Sequence, residues 1–214
     1  MTPAITTIVP QAGKKNRLSV LVDGEVWMNV HKATAKNLHL VLGEIDNLGR
    51  LGEEILRCEK ICGFEQIAKF LSLRPRSEKE IHLRLSRYGY DQAVIKAIVK
   101  ELAEKRIVGD FCFARWWVSE GMRIGKGRIR LRQELLSKGV PAEAIDSALH
   151  GQYSEEDDFS RALEIARRRF ARLKKVDRNT AQSRMMGFIQ RRGFSHGTAR
   201  EVWQYLTVKD RGSG

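Results

Sequence analysis

"GKGRIRLRQELLSKGV", residues 125–140, carries two competing periodicities. Arg128, Ile129, Arg130, Leu131 and Arg132 alternate basic and apolar, as in a strand with one basic face. Continued through Leu135 and Leu136 to Gly139, the same residues read as a helix that stops at a glycine. The choice decides whether these arginines form one patch or point in several directions.

The rest of the chain decides it. "IHLRLSRYGYDQAVIKAIV" (81–99), "LRQELLSKGVPAEAIDSAL" (131–149) and "MMGFIQRRGFSHGTAREVW" (185–203) share one frame. An apolar residue (Ile81, Leu131, Met185) is followed four later by another (Leu85, Leu135, Ile189) and four later again by glycine (Gly89, Gly139, Gly193). An apolar anchor follows at once (Tyr90, Val140, Phe194), and a second helix begins. This is a helix, a left-handed glycine cap, a hydrophobic anchor and another helix. Only the helical pattern is common to all three stretches, so residues 125–140 are expected to form a helix.

Each pair follows a further helical stretch, roughly Glu53 to Leu73, Asp110 to Met122 and Ser154 to Lys175. The spacing predicts three three-helix modules, 53–109, 110–151 and 152–214 with the tail. Ser77 with Glu80 forms a capping box, Asp91 is placed to cap the next helix, and Pro141 suits a first helical position. Modules this small bury little alone and are expected to stack into an elongated, curved body. Residues 1–52 differ. "RLSVLV" and "EVWMNV" flank Asp23-Gly24, a pair suited to a tight hairpin turn, and "ITTIV" (5–9) reads as a third strand. The glycines of "LHLVLGEIDNLGRLG" interrupt any helix there, so helices are expected only from about residue 53. The fold class is mainly α with a small N-terminal β-rich segment.

The chain has 214 residues, 42% of them hydrophobic, enough for packed cores. Its 39 Lys and Arg against 26 Asp and Glu give a formal charge of +13, a surplus that steers polyanions or acidic surfaces toward it. No run of 18 apolar residues occurs and the N-terminus lacks the order of a signal peptide, so a cytosolic protein is expected. Cys58, Cys62 and Cys112 suit buried thiols in a reducing compartment. Cys58 and Cys62 could share a helix face, but no complementary His or Cys pair exists, and no metal is expected.

The basic residues are unevenly placed. From Gly121 to Gln133 there are five cations and no acid, and from Ala166 to Ala181 seven cations and only Asp177. A surface built for solubility intersperses both signs. At about 100° per residue, Leu131 and Leu135 mark a buried arc, Arg130 lies opposite, and Arg128 and Arg132 flank it. Arg87, Arg184 and Arg191 fall on outer faces. In the third module, Phe159, Ala162, Leu163, Ala166, Phe170 and Leu173 form an apolar stripe, with Arg161, Arg168, Arg172 and Lys175 opposite. Lys126, Arg128, Arg130, Arg132, Arg161, Arg168, Arg172 and Lys175 are the candidate contacts for a nucleic acid or acidic partner, with Arg74 and Arg76 as weaker ones. Phe111, Phe113, Phe159, Phe170 and Trp203 read as core, and Trp117 as the aromatic most available for contact.

Marks of catalysis are absent. "GMRIGKG" departs from a phosphate loop, with three residues between Gly121 and Gly125 and glycine after Lys126. His31, His39, His82, His150 and His196 are scattered, without a metalloprotease motif or nucleophile elbow. Neither an enzyme nor a cofactor is expected.

"LSLRPRSEKEIHLRLSRYGY" and "IVGDFCFARWWVSEGMRIGKGRIRLRQELLSKGV" resemble the RecX family of recombinase regulators. The resemblance spans about residues 60 to 206 and is stronger in the first two modules. It implies a monomeric, non-enzymatic partner that binds in the groove of the RecA filament on single-stranded DNA, with double-stranded DNA as a further ligand. It further implies inhibition of the filament's ATPase, strand-exchange and coprotease activities. A helical DNA-binding protein acting without RecA, or a protein-only adaptor, would use the same charges.

Overall fold

The computed structural model describes residues 2–153, 155–173 and 175–211. Ser154, expected to start a helix, and the last three residues of the third expected module lie outside these. Two compact units are present, Met1–Gly109 and Asp110–Gly214.

In the first unit, β1 (Ala4–Pro10), β2 (Arg17–Val22), β3 (Glu25–His31) and β4 (Gly43–Glu44) form an antiparallel sheet in the order β3-β2-β1-β4. Asp23 and Gly24 both have positive φ, 50° and 87°, as a two-residue hairpin turn between right-twisted strands requires. A short helix α1 (Lys32–Asn37) follows β3, its first turn capped by the His31 ring, which accepts from the Ala33 N–H. Helix α2 (Leu48–Leu73) starts five residues before the expected division, despite Gly49 and Gly52. The Asn47 side chain accepts from the Arg50 N–H at 2.9 Å, and this cap outweighs the weak helix propensity of the two glycines.

One face of α2 closes the sheet core, where Ile55 meets Ile5, Val20, Val22 and Val30. Its C-terminal half packs on α3 (Glu78–Tyr88) and α4 (Gln92–Glu104) through Ile67, Ile81, Leu85, Ile95 and Ile98. A buried polar cluster joins sheet to helix. Arg17 and Glu59 are 1% and 0% exposed, and Arg17 Nη1 donates to Glu59 Oε2 at 2.6 Å. Glu59 Oε1 accepts from the His31 N–H and the Thr34 hydroxyl, Arg17 Nη2 donates to the Asn29 carbonyl, and the guanidinium stacks 4.3 Å from the Tyr90 ring centre. Ser77 caps α3 as expected, accepting from the Glu80 N–H. Asp91 stands at the start of α4 without a capping bond, because its carboxylate accepts from the Asn29 backbone and side-chain amides of β3 instead.

The second unit holds α5 (Asp110–Arg123), α6 (Arg128–Ser137), α7 (Ala142–Gln152), α8 (Glu155–Leu173), α9 (Arg178–Arg192) and α10 (His196–Arg211). Residues 128–137 are helical, so the strand-like alternation has no structural counterpart. Leu131 and Leu135 are fully buried with Phe113, Val118, Ile145 and Leu149. Pro141 lies just before α7 rather than at its first turn. A second core joins α8, α9 and α10 through Ala162, Ala166, Met185, Ile189, Phe194 and Trp203. Each such leucine, isoleucine, valine, methionine or phenylalanine removed from water contributes about 1.5–3 kcal/mol.

Gly89 and Gly193 cap α3 and α9 with φ of 86° and 95°, and Gly139 follows α6 at 77°. Two expectations about burial fail. Phe111 is 50% exposed at the first turn of α5, whose buried positions are Phe113, Ala114, Val118 and Gly121. Cys112 beside it is also exposed, while Cys58 is half-buried and Cys62 buried.

Candidate anion-binding cleft

Helix α8 is the foundation of the site. Its apolar stripe faces α9 and α10, so residues 161, 165, 168, 169 and 172, spaced within one arc of the 3.6-residue period, share another face. Opposite them, α5 ends at Arg123, and Gly125 turns the chain with φ 73°. A Cβ there would sit 2.8 Å from Ile165 Cγ2, so glycine lets this turn approach α8 closely. Phe188 and Arg192, one helical turn apart on α9, complete the walls.

The resulting cleft encloses about 430 Å³. Arg123, Arg161, Arg168, Arg169, Arg172 and Arg192 line it, and Glu164 is the one carboxylate among its described lining residues. Met122, Ile124, Ile165 and Phe188 supply its apolar surface. The Arg169 and Arg192 guanidiniums lie 5.1 and 5.6 Å from the Phe188 ring centre. Arg161 lies 5.0 Å from the Tyr153 ring centre, and burial together with Asp158 pushes the Tyr153 hydroxyl up to about 12. Arg161 Nη1 and Arg169 Nε are buried and meet no acceptor among the described residues. Arg168 and Arg172 are exposed and form no ion pair with a described residue. Arginine forks of this kind match the paired oxygens of a phosphate or carboxylate.

Three expected contacts, Arg161, Arg168 and Arg172, therefore converge. Lys175 is exposed beyond the end of α8 and does not line the cleft. The α6 cations are differently employed. Glu134 accepts from Lys126 Nζ at 2.6 Å, Arg130 Nε at 2.9 Å and Trp117 Nε1 at 3.0 Å. Burial alone would raise the Glu134 carboxyl, but these donors hold it below the usual carboxylate range. Trp117 is thus half-buried between Lys126 and Lys138 rather than presented for contact. Arg132 pairs with Asp146 of α7, and Arg128 is half-buried at the start of α6. In the first unit, Arg74 holds Glu80 with both guanidinium ends, at 2.9 and 3.1 Å. Arg76 donates to the Phe70 carbonyl and stacks 3.7 Å from its ring centre, and burial with the neighbouring Arg74 lowers its pKa. Arg87, Arg184 and Arg191 are exposed.

Arg123, Arg169 and Arg192 were missed. Arg169 could have been found from its spacing along α8; Arg123 and Arg192 come from other helices and leave no local signal.

Family models for the RecX first, second and third three-helix domains match residues 64–102, 110–149 and 155–203. Among similar proteins, regulatory protein RecX of Amycolatopsis mediterranei is 34% identical over 141 residues, 65% of this chain and 77% of that one. Regulatory protein RecX of Clostridioides difficile is 25% identical over 204 residues, covering 94% and 95% of the two chains. A crystal structure of regulatory protein RecX aligns over 94% of this chain and 98% of its own, with TM-score 0.65 and 21% identity. That of RecX from Lactobacillus salivarius aligns over 70% and 97%, with TM-score 0.62 and 20% identity. Both share the fold.

Proposed function

The chain belongs to the RecX family of regulatory proteins, and from that premise we propose that it binds the RecA filament on single-stranded DNA and restrains its ATPase, strand-exchange and coprotease activities. The observation that carries the contact surface is the convergence of six arginines on one cleft, with a single acid among its described lining residues. Such a field attracts a polyanion from a distance, and guanidinium forks then hold phosphate oxygens directly. Arg161, Arg168 and Arg172 are the principal contacts. The cations already paired, Lys126, Arg130, Arg132 and Arg74, together with Arg128, Arg76 and Lys175, are secondary.

The regulator acts by binding rather than by chemistry. Binding one state of the filament more tightly than another shifts the population toward that state, to the extent of the difference in affinity. No cofactor takes part, and one copy of the chain suffices. No described helix is long and apolar enough to cross a membrane, and we place the protein in the cytoplasm, with the filament.

RecA ATPase on single-stranded DNA, measured with sub-stoichiometric protein added, tests this. Inhibition by wild type, lost when Arg161, Arg168 and Arg172 are reversed to Glu, is the expected result. Tight DNA binding without any effect on the ATPase would instead favour a DNA-binding protein that acts independently of RecA.

A further inference from the structure

Helices α6 and α9 meet end to end within the second unit. A helix leaves its first N–H groups and last C=O groups without intrahelical partners. Here they satisfy each other across two modules. The Gly127 N–H donates to the Arg192 carbonyl at 2.8 Å, and the Ile129 N–H donates to the Gly193 carbonyl at 3.0 Å. Side chains tie the same ends: Arg130 Nη1 donates to the Arg191 carbonyl at 3.3 Å, and Arg192 Nη1 donates to the Ile124 carbonyl at 3.2 Å. The positive end of the α6 dipole thus rests on the negative end of α9. Gly127 starts α6 without a side-chain cap, so the α9 carbonyls stand in for one.

Both glycines are obligatory at this approach. A Cβ on Gly127 would collide with the Gly193 carbonyl group, and a Cβ on Gly193 would collide with the backbone and Cβ of Arg130. The obstructing atoms are mostly backbone, which cannot swing aside as a long side chain does. The junction also borders the cleft. Ile124 and Gly125 form one wall just before Gly127, and Arg192 supplies a cleft guanidinium while its carbonyl takes the Gly127 bond.

We infer that Gly127 and Gly193 are positioning residues that set the width of the arginine cleft, so that phosphate binding depends on two residues that carry no charge and touch no ligand. The inference rests on the reading of the cleft as a phosphate site. Parting the two helix ends would move Ile124 and Gly125 away from α8 and turn Arg192, leaving every cation present but no longer convergent.

Fluorescence anisotropy with a labelled deoxythymidine oligonucleotide tests it, at temperatures where circular dichroism shows each variant folded. G127A and G193A are expected to bind about tenfold more weakly than wild type, the equivalent of roughly one good charged interaction. G139A alters a left-handed glycine of the same unit outside the junction, and is expected to lower the melting temperature while keeping wild-type affinity. Wild-type affinity in G127A and G193A, with binding lost in the Arg161, Arg168 and Arg172 reversal, would overturn the inference and leave the cleft reading standing. Wild-type affinity in the reversal itself would remove that reading and the inference with it. Should either glycine variant fail to fold, amide exchange on wild type decides between the outcomes. If the oligonucleotide binds only the closed junction, at tenfold its Kd it slows exchange at Gly127 and Ile129 by about tenfold. Unchanged exchange at both amides refutes the coupling.

Discussion

Replacing Arg168 and Arg172 together by alanine should change how binding to single-stranded DNA responds to salt, beyond weakening it. Both side chains are exposed, line the cleft and form no ion pair with a described residue, so their loss strands no buried partner. Each phosphate contact on a single strand contributes about 0.7 to the slope of log affinity against log salt, through counterion release. Removing both arginines makes the slope shallower by about 1.4. Between about 50 and 200 mM salt, an interval of about 0.6 in log units, wild type should lose roughly sevenfold more affinity than the variant. Anisotropy titrations at four or five salt concentrations read this directly. Arg50→Ala is the matched control, since Arg50 is paired with Glu54 and is not among the proposed contacts, so its loss should leave the slope unaltered. Parallel lines for wild type and the double variant would refute the reasoning, because arginines that meet no phosphate release no counterions. If filament inhibition were nevertheless lost, those arginines would be meeting acidic protein surface.

Other residues give independent tests. Glu59→Leu leaves the Arg17 guanidinium buried and uncompensated and should cost about 3–5 kcal/mol by urea unfolding, with part of it recovered by adding Arg17→Met, since the His31 N–H and the Thr34 hydroxyl stay without their acceptor; a single-variant loss under about 1 kcal/mol would contradict the buried pairing. Leu131→Ala, in the fully buried α6 seam, should cost about 2–5 kcal/mol with an unchanged denaturant slope, and a surface-like loss under about 0.5 kcal/mol would place residue 131 outside the core. Glu134 is held below its ordinary 4.5 in the fold, so its stabilisation is complete above that ordinary value and disappears as pH falls through the lower folded one. The melting-temperature gap between wild type and Glu134→Gln should therefore be widest near neutral pH and close in acid; a gap constant with pH would mean that Glu134 is not engaged by Lys126 and Arg130.

What could be read from the sequence is what one element decides for itself. The Asp23-Gly24 turn needs only its own two φ angles, and the α8 stripe needs only the helical period; both were legible. The start of α2 was not, because a capping Asn47 overrules two glycines by a bond that composition does not reveal. Strand β4 was not either, since two residues become a strand only when β1 lies beside them. The same division runs through the candidate site. A helical wheel puts Arg130 on the outer face correctly, yet says nothing of Glu134, which engages it along with Lys126 and so removes two expected contacts from the free surface. Arg161, Arg168 and Arg172 could be grouped because one helix carries them, whereas Arg123 and Arg192 join them only because α6 and α9 meet end to end. The glycine frame makes the limit plain. Gly89, Gly139 and Gly193 are equivalent as helix stops, but Gly193 is also pressed against Gly127 of another module, whereas Gly89 meets Gln11, Lys14 and Arg17. A repeat therefore announces where its helices end, while the contact that turns one of those ends into part of a site belongs to the packing between repeats.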